Sequence, residues 1–333
     1  MKLRDCAGTA LQTVLGALLF LFLTLPAGAS PVVSMIFAGD STLDDDAGQL
    51  IAQGGDPFAD FATFFASADI RITNLECVVA TRGGATADKM YTFRAHPQVI
   101  PVLKRHFDAV TLANNHSGDF GPDAFAEMLM LLKQGGLPQV GGGFNLKQAH
   151  EPLIFERKGL RIAVLSYNEF HPRSFEAGPN LPGVAWSEDQ QVVADILAAR
   201  QIHKADVVIP LMHWGWENEL KANPRQWQLA KLMIDAGADA VVGGHPHVTQ
   251  DVGVYKGKPI VFSVGNFVMK ETDNDNQRKA WVLKLDLDNQ GVRGFFAQPI
   301  RLDMKGIPKM ARTETGPCWQ RGAKTVSQCR RLK

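Results

Sequence analysis

Cysteine is scarce in this chain, with four in 333 residues, and none stands in a Cys-x-x-Cys pair. Zinc-thiolate sites use that spacing, so a site of this kind is not expected. Long apolar runs are missing as well. The run Val14 to Leu23 falls short of the roughly 20 residues that a membrane-spanning helix needs. No cysteine follows that run closely, which argues against a lipoprotein signal. Charge imbalance is also absent, with 35 Lys and Arg against 34 Asp and Glu, and no nucleic-acid partner is expected. Low-complexity segments and internal repeats are lacking too. A hydrophobic content of 45% and a charged content of 21% are those of an ordinary globular protein.

What is present begins with an export signal. Lys2 and Arg4 precede the apolar run, and Ala27 and Ala29 then form the small-x-small pattern of a cleavage site. Residues 1–29 are therefore expected to be a signal peptide, with a mature chain starting near Ser30 in the periplasm or outside the cell. An uncleaved segment would instead anchor the chain in the membrane. Cys6 leaves with the signal. Cys318 and Cys329 are close enough in sequence to form a small disulfide loop. Cys77 reads as a buried small side chain. Without the signal, 33 basic residues face 33 acidic ones, yet Lys305 to Lys333 holds eight Lys or Arg against Glu314 alone. Residues 304–333 thus read as a basic C-terminal tail, either solvated or touching an anionic polymer or membrane surface.

Between signal and tail, residues 30–303 read as one α/β domain. Short apolar runs such as Val33 to Ala38, Ile70 to Thr73, Phe107 to Leu112, Ile162 to Ser166 and Val207 to Leu211 have the length and composition of buried strands. Helical patterns alternate with several of them: Pro57 to Ala66, Pro97 to Arg105, Pro122 to Lys133, Asp189 to Lys204 and Pro224 to Asp235. Proline suits a first helical turn, where its missing amide proton costs little. The alternation predicts a central parallel or mixed sheet covered by helices, completed by a hairpin over Ala280 to Leu287 and Gly294 to Leu302. Ligands in such sheets sit at the carboxyl ends of the strands.

The strand ends hold the chemistry. Gly244-His245-Pro246-His247 presents two imidazoles at i and i+2, suited to one metal ion or to two neighbouring ones. Asn115 offers a neutral amide oxygen, while His116 is free to move protons and Asp119 either orients it or caps the helix opening at Pro122. Asp40 and Glu76 supply carboxylates, and His213 adds an imidazole. Arg82, Lys89 and Arg94 follow Glu76 and could meet substrate anions, or be ordinary solvated surface. Taken singly, most of these residues would be turn or packing residues. Five strand ends delivering two carboxylates, one amide and three imidazoles make the mixed N/O set accepted by Mn²⁺, Fe, Co²⁺ or Zn²⁺.

Gly39-Asp40, Asn74-Leu75-Glu76, Ala113 to Gly121, His213-Trp214-Gly215, Gly244 to His247 and Ser263 to Phe267 together resemble the CapA capsule-synthesis family. That family is linked to poly-γ-glutamate production and belongs to the calcineurin-like metallophosphoesterases. The resemblance implies a single-domain, four-layered αββα sandwich with a two-metal centre, in which one or two divalent transition-metal ions are expected to be bound. It implies that Glu76 bridges, that Asn115, His213 and His245 complete one site, and that Asp40 and His247 serve the other. His116 matches the proton-donating histidine. Phosphoesterases of the superfamily carry Asp-x-His where this chain has Asp40-Ser41-Thr42, so the first site lacks an imidazole. The implied function is hydrolysis of a phosphoester or γ-glutamyl amide by a metal-activated water. The alternative is a non-catalytic component that binds an anionic polymer beside capsule-synthesis machinery at the membrane.

Overall fold

Alternation along the strands decides the architecture. In the strand Val33–Ser41, Met35 and Phe37 enter one core while Ile36 and Ala38 enter another. In Leu160–Asn168, Ile162 and Val164 share the first of these cores, and Ala163 and Leu165 pack into a third. Successive side chains of a strand point to opposite faces, so these strands are buried on both sides. Three cores of this kind separate four layers.

The computed structural model, which describes residues 31–270 and 272–330, shows those layers as two sheets back to back between helices. In the first sheet Val33–Ser41 is central. It runs parallel to Ile70–Leu75, which continues to Ala109–Thr111, and antiparallel to Lys279–Asp288 on its other side. In the second sheet Leu160–Asn168, Val207–His213, Val241–Gly244 and Lys258–Val261 are parallel neighbours. Phe37 and Ile72 of the first sheet meet Val164, Ile209 and Val242 of the second in the middle core. Helices Val99–His106 and Gly121–Gln134 cover the first sheet, and Asp189–Gln201 and Pro224–Ala236 cover the second. The four-layered αββα sandwich is thus the observed fold, and the single central sheet read from strand-helix alternation is corrected to two. The helix at Pro224 starts as expected, with Pro in its first turn and a reciprocal capping box between Asn223 and Gln226. Pro57 to Ala66 is a short 3-10 turn, Ala59–Phe61, running into the helix Ala62–Ala66.

One crossing between the sheets matters for the site. The chain leaves the second sheet after Val261, turns at Gly265 with φ of +75°, and pairs Asn266–Val268 with Val33–Ser41 of the first. Asn266 is thereby set beside Asp40.

The basic tail is corrected as well. Pro308–Met310, Gly316–Gln320 and Ser327–Cys329 are strands that extend the first sheet. Trp319 is buried in the middle core, and Cys318 and Cys329 form the expected disulfide. Net charge hid this because the basic residues alternate with, or flank, the few that are buried. Arg321 pairs with Asp288 at 2.7 Å and Arg312 approaches Asp60 at 3.6 Å. Trp319→Ala should therefore cost about 3–5 kcal/mol in a urea unfolding curve of the oxidised protein, the usual range for removing a buried aromatic. A free arm would show no shift.

The expected signal peptide, its cleavage site and the mature start at Ser30 lie outside the described residues. Among the described residues no helix is long and apolar enough to cross a membrane.

Candidate metal centre

Both sheets direct the ends of their parallel strands to one rim, and the functional side chains gather there. Asp40 comes from Val33–Ser41, Glu76 directly follows Ile70–Leu75, and Asn115 and His116 follow Ala109–Thr111. His213 ends Val207–His213, and His245 and His247 follow Val241–Gly244. All six expected ligands are brought together. Close backbone approach depends on glycine: a Cβ on Gly244 would sit 2.6 Å from Asp40 Oδ1. His245 and His247 hold positive φ values of +92° and +58°, a backbone state that non-glycine residues keep mainly at functional sites.

Around His213 Nε2 three donors converge. Asn115 Oδ1 lies at 2.7 Å, His245 Nδ1 at 3.0 Å and Glu76 Oε1 at 3.2 Å. His247 Nε2 is 3.9 Å from the same Glu76 oxygen, and its Nδ1 is 3.8 Å from Asp40 Oδ2. Two fully buried groups with mutually close ligand atoms result, Glu76 with His213 and His245, and Asp40 with Glu76 and His247. Glu76 is common to both, the position of a bridge.

The electrostatics fit divalent cations. Glu76 is fully buried and neither of its oxygens receives a hydrogen bond; His245 Nε2 is buried and unpartnered too. Burial, and then Asp40, push the Glu76 carboxyl well above its usual range. Burial pulls His213 down to about 4, and burial with the neighbouring imidazoles holds His245 well below the usual histidine range. Both rings are therefore neutral at ordinary pH, the form that binds metals. At His247 burial opposes protonation, but Glu76, Asp40 and a hydrogen bond to Asn266 outweigh it and raise the ring. A cation would restore charge to Glu76 and occupy the orphaned atoms, so the donor set suits a divalent transition metal.

Three asparagines to which the sequence assigns no role fix this arrangement. Asn266 Nδ2 donates to the carbonyls of His247 and Gln277, so its Oδ1 accepts from His247 Nδ1 at 2.8 Å. That leaves the His247 Nε2 lone pair facing Glu76. Asn74 donates to Asp40 Oδ1 at 2.8 Å and accepts from Thr111 and Asn114. Asn114 Oδ1 in turn accepts from the amides of His116 and Ser117, shaping the turn that presents Asn115. For Asn74 and Asn114, an asparagine one or two residues from a candidate ligand at a strand end was the available signal; Asn266, distant in sequence from every candidate ligand, carried none.

Beside the cluster stands a second group. His116 Nδ1 donates to Asp119 Oδ2 at 2.7 Å, and the same oxygen accepts from the Phe93 amide at 2.7 Å. The helix start at Gly121 takes no side-chain cap, so Asp119 serves His116 rather than the helix. Burial lowers His116 to about 4, with Asp119 opposing. Lys89 is tied to Asp119 Oδ1 and to the Asn115 carbonyl, which makes it a clamp on this pair. Arg94 stacks on Phe120 and donates to the Gly83 carbonyl, and Arg82 is exposed. Of the three cations expected to meet substrate, Lys89 is the one the fold brings to the cluster. Cys77 is buried, which pushes its thiol up and leaves it unreactive.

Comparison with known proteins bears on the fold and on the family. Over 80% of this chain and 98% of the other, the fold matches the crystal structure of a hypothetical protein from Thermus thermophilus, with a TM-score of 0.52 and 15% identity. It matches a putative 5′-nucleotidase from Staphylococcus aureus over 84% of this chain and 54% of the other, at a TM-score of 0.50 and 13% identity. The four-layered fold is thus one that this chain shares with those two proteins. In sequence, the chain is 31% identical to the PGA biosynthesis protein CapA of Bacillus subtilis, covering 81% of this chain and 71% of that one. It is 33% identical to the capsule biosynthesis protein CapA of Bacillus anthracis, over 67% of this chain and about half, 54%, of the relative. Residues 34–271 match the family described as bacterial capsule synthesis protein PGA_cap, and the chain belongs to that family.

Proposed function

We propose that this chain is an exported, metal-dependent hydrolase that acts on a phosphoester or a γ-glutamyl amide during synthesis or processing of a capsule polymer. The observation that carries the reading is the buried, unpartnered set of Glu76 oxygens and His245 Nε2 next to a histidine held by a carboxylate. A bound divalent cation would supply Lewis acidity and a water of lowered pKa. Glu76, Asn115, His213 and His245 would hold one ion, and Asp40, Glu76 and His247 the other. His116 keeps its Nδ1 proton on Asp119, so Nε2 is the atom that exchanges a proton with the substrate. An anionic substrate beside the ring favours its protonated, donating form. The partners are then an anionic polymer or phosphoester and capsule-synthesis machinery at the membrane.

A second reading, a non-catalytic polymer-binding component, is favoured by the first strand. Thr42 stands where the superfamily has an imidazole, and its hydroxyl is directed to the Val268 carbonyl at 3.5 Å. Metal analysis of the purified protein, with a hydrolysis screen over phosphomonoesters, phosphodiesters and γ-glutamyl polymers, separates the two. The hydrolase reading expects at least one bound divalent ion per chain and turnover of one substrate class. Bound metal without turnover of any class would favour the polymer-binding reading, and absence of metal would overturn the centre itself.

A further inference from the structure

We propose that Glu217 is a further metal ligand, closing the solvent side of the centre with a carboxylate oxygen beside His245 and His247. The inference rests on the metal-centre reading above and adds a residue to it. Ligand atoms of Glu217, His245 and His247 lie within 4.8 Å of one another, the same proximity shown by the two buried groups. His245 is fully buried, yet its Nε2 has no hydrogen-bond partner. A buried imidazole nitrogen left bare in this way points to a ligand rather than to packing.

The loop that carries Glu217 is fixed onto the two histidines. Gly215, at φ of +86°, turns the chain away from His213. The Asn218 amide then donates to the Pro246 carbonyl at 2.8 Å, pinning the loop to the residue between His245 and His247. Asn218 Oδ1 accepts from Asn274 and Gln277, each at 2.9 Å, which holds the far side. Glu217 is thereby exposed at the mouth of a centre whose other carboxylates, Asp40 and Glu76, are buried.

The first strand explains why a loop ligand is useful. Beyond Asp40 it offers nothing to a cation: Ser41 Oγ bonds Thr73 Oγ1 at 2.8 Å, and Thr42 faces Val268 and Met269. A hard, charged oxygen from Glu217 replaces a missing donor. It also sets three carboxylates against two divalent cations, leaving a net positive centre for an anionic substrate.

Titration of the metal-stripped full chain with Mn²⁺, followed by calorimetry, tests this, together with the absorption spectrum of the Co²⁺-loaded protein. Glu217→Ala should weaken one class of Mn²⁺ site by about 100-fold or more, beyond the roughly 10–100-fold that loss of a mere support costs, and alter the Co²⁺ bands, while the other class keeps its affinity. Glu217→Gln, which preserves the loop's shape and removes the charge, should move in the same direction if the alanine variant folds poorly. Unchanged Mn²⁺ affinities and Co²⁺ bands in both variants, with only KM raised, would overturn the inference and make Glu217 a substrate contact. A wild-type protein that binds no Mn²⁺, Zn²⁺ or Co²⁺ would instead overturn the metal centre on which it rests.

Discussion

His213→Ala will lose metal and hydrolytic activity together, whatever the leaving group of the substrate. Its Nε2 is the point on which Asn115, His245 and Glu76 converge, at 2.7, 3.0 and 3.2 Å. Removing the ring takes away a neutral donor and leaves Glu76 buried with its oxygens still unpartnered. Changes to residues that merely support a ligand cost about 10–100-fold in metal affinity, so loss of a ligand should cost about 100-fold or more. Metal content after dialysis measures it directly, and His245→Ala should behave alike. A variant that kept the wild-type metal content would remove His213 from the centre and, with it, the two-group reading of the site.

Much of this centre was legible in the sequence because strands announce their own ends. Val207 to Leu211 and Ala240 to Val242 are apolar until they stop, and the polar residues that follow must lie at the carboxyl rim. Six candidate ligands could be named on that ground, and the fold brings them to one rim. Their supports could not, since Asn74, Asn114 and Asn266 have the composition of ordinary turns, and what ties them to the centre is a bond to a partner distant in sequence. The number of sheets was equally hidden from periodicity. A strand apolar on both faces is buried on both, whether it lies in one helix-covered sheet or in one of two stacked sheets. The resemblance to a known family supplied that choice. The C-terminal segment was misread because net charge averages over residues, while burial is decided one side chain at a time: Trp319 is deep in the core two residues from the half-buried Arg321.

His116→Ala is expected to give the opposite pattern from His213→Ala, with metal retained and turnover lost. His116 is outside both ligand groups, and its Nδ1 is committed to Asp119, itself held by the Phe93 amide and Lys89. The ring also packs against Phe93, with centroids 4.3 Å apart, so its single exchangeable position is Nε2. A group placed in this way contributes through proton transfer, commonly about 10²–10⁴-fold, and that is the expected fall in kcat. The fall should shrink for substrates with good leaving groups, which need little protonation as they depart. Burial holds His116 at about 4 in the free protein, so the donating form depends on the charge of a bound anion. Neutral substrates should accordingly feel the substitution less than anionic ones of equal leaving-group quality. Metal analysis beside a leaving-group series reads both quantities from one set of samples. Parallel loss of metal and activity would make His116 a ligand. No change in either would leave the ring without a chemical task and favour the polymer-binding reading.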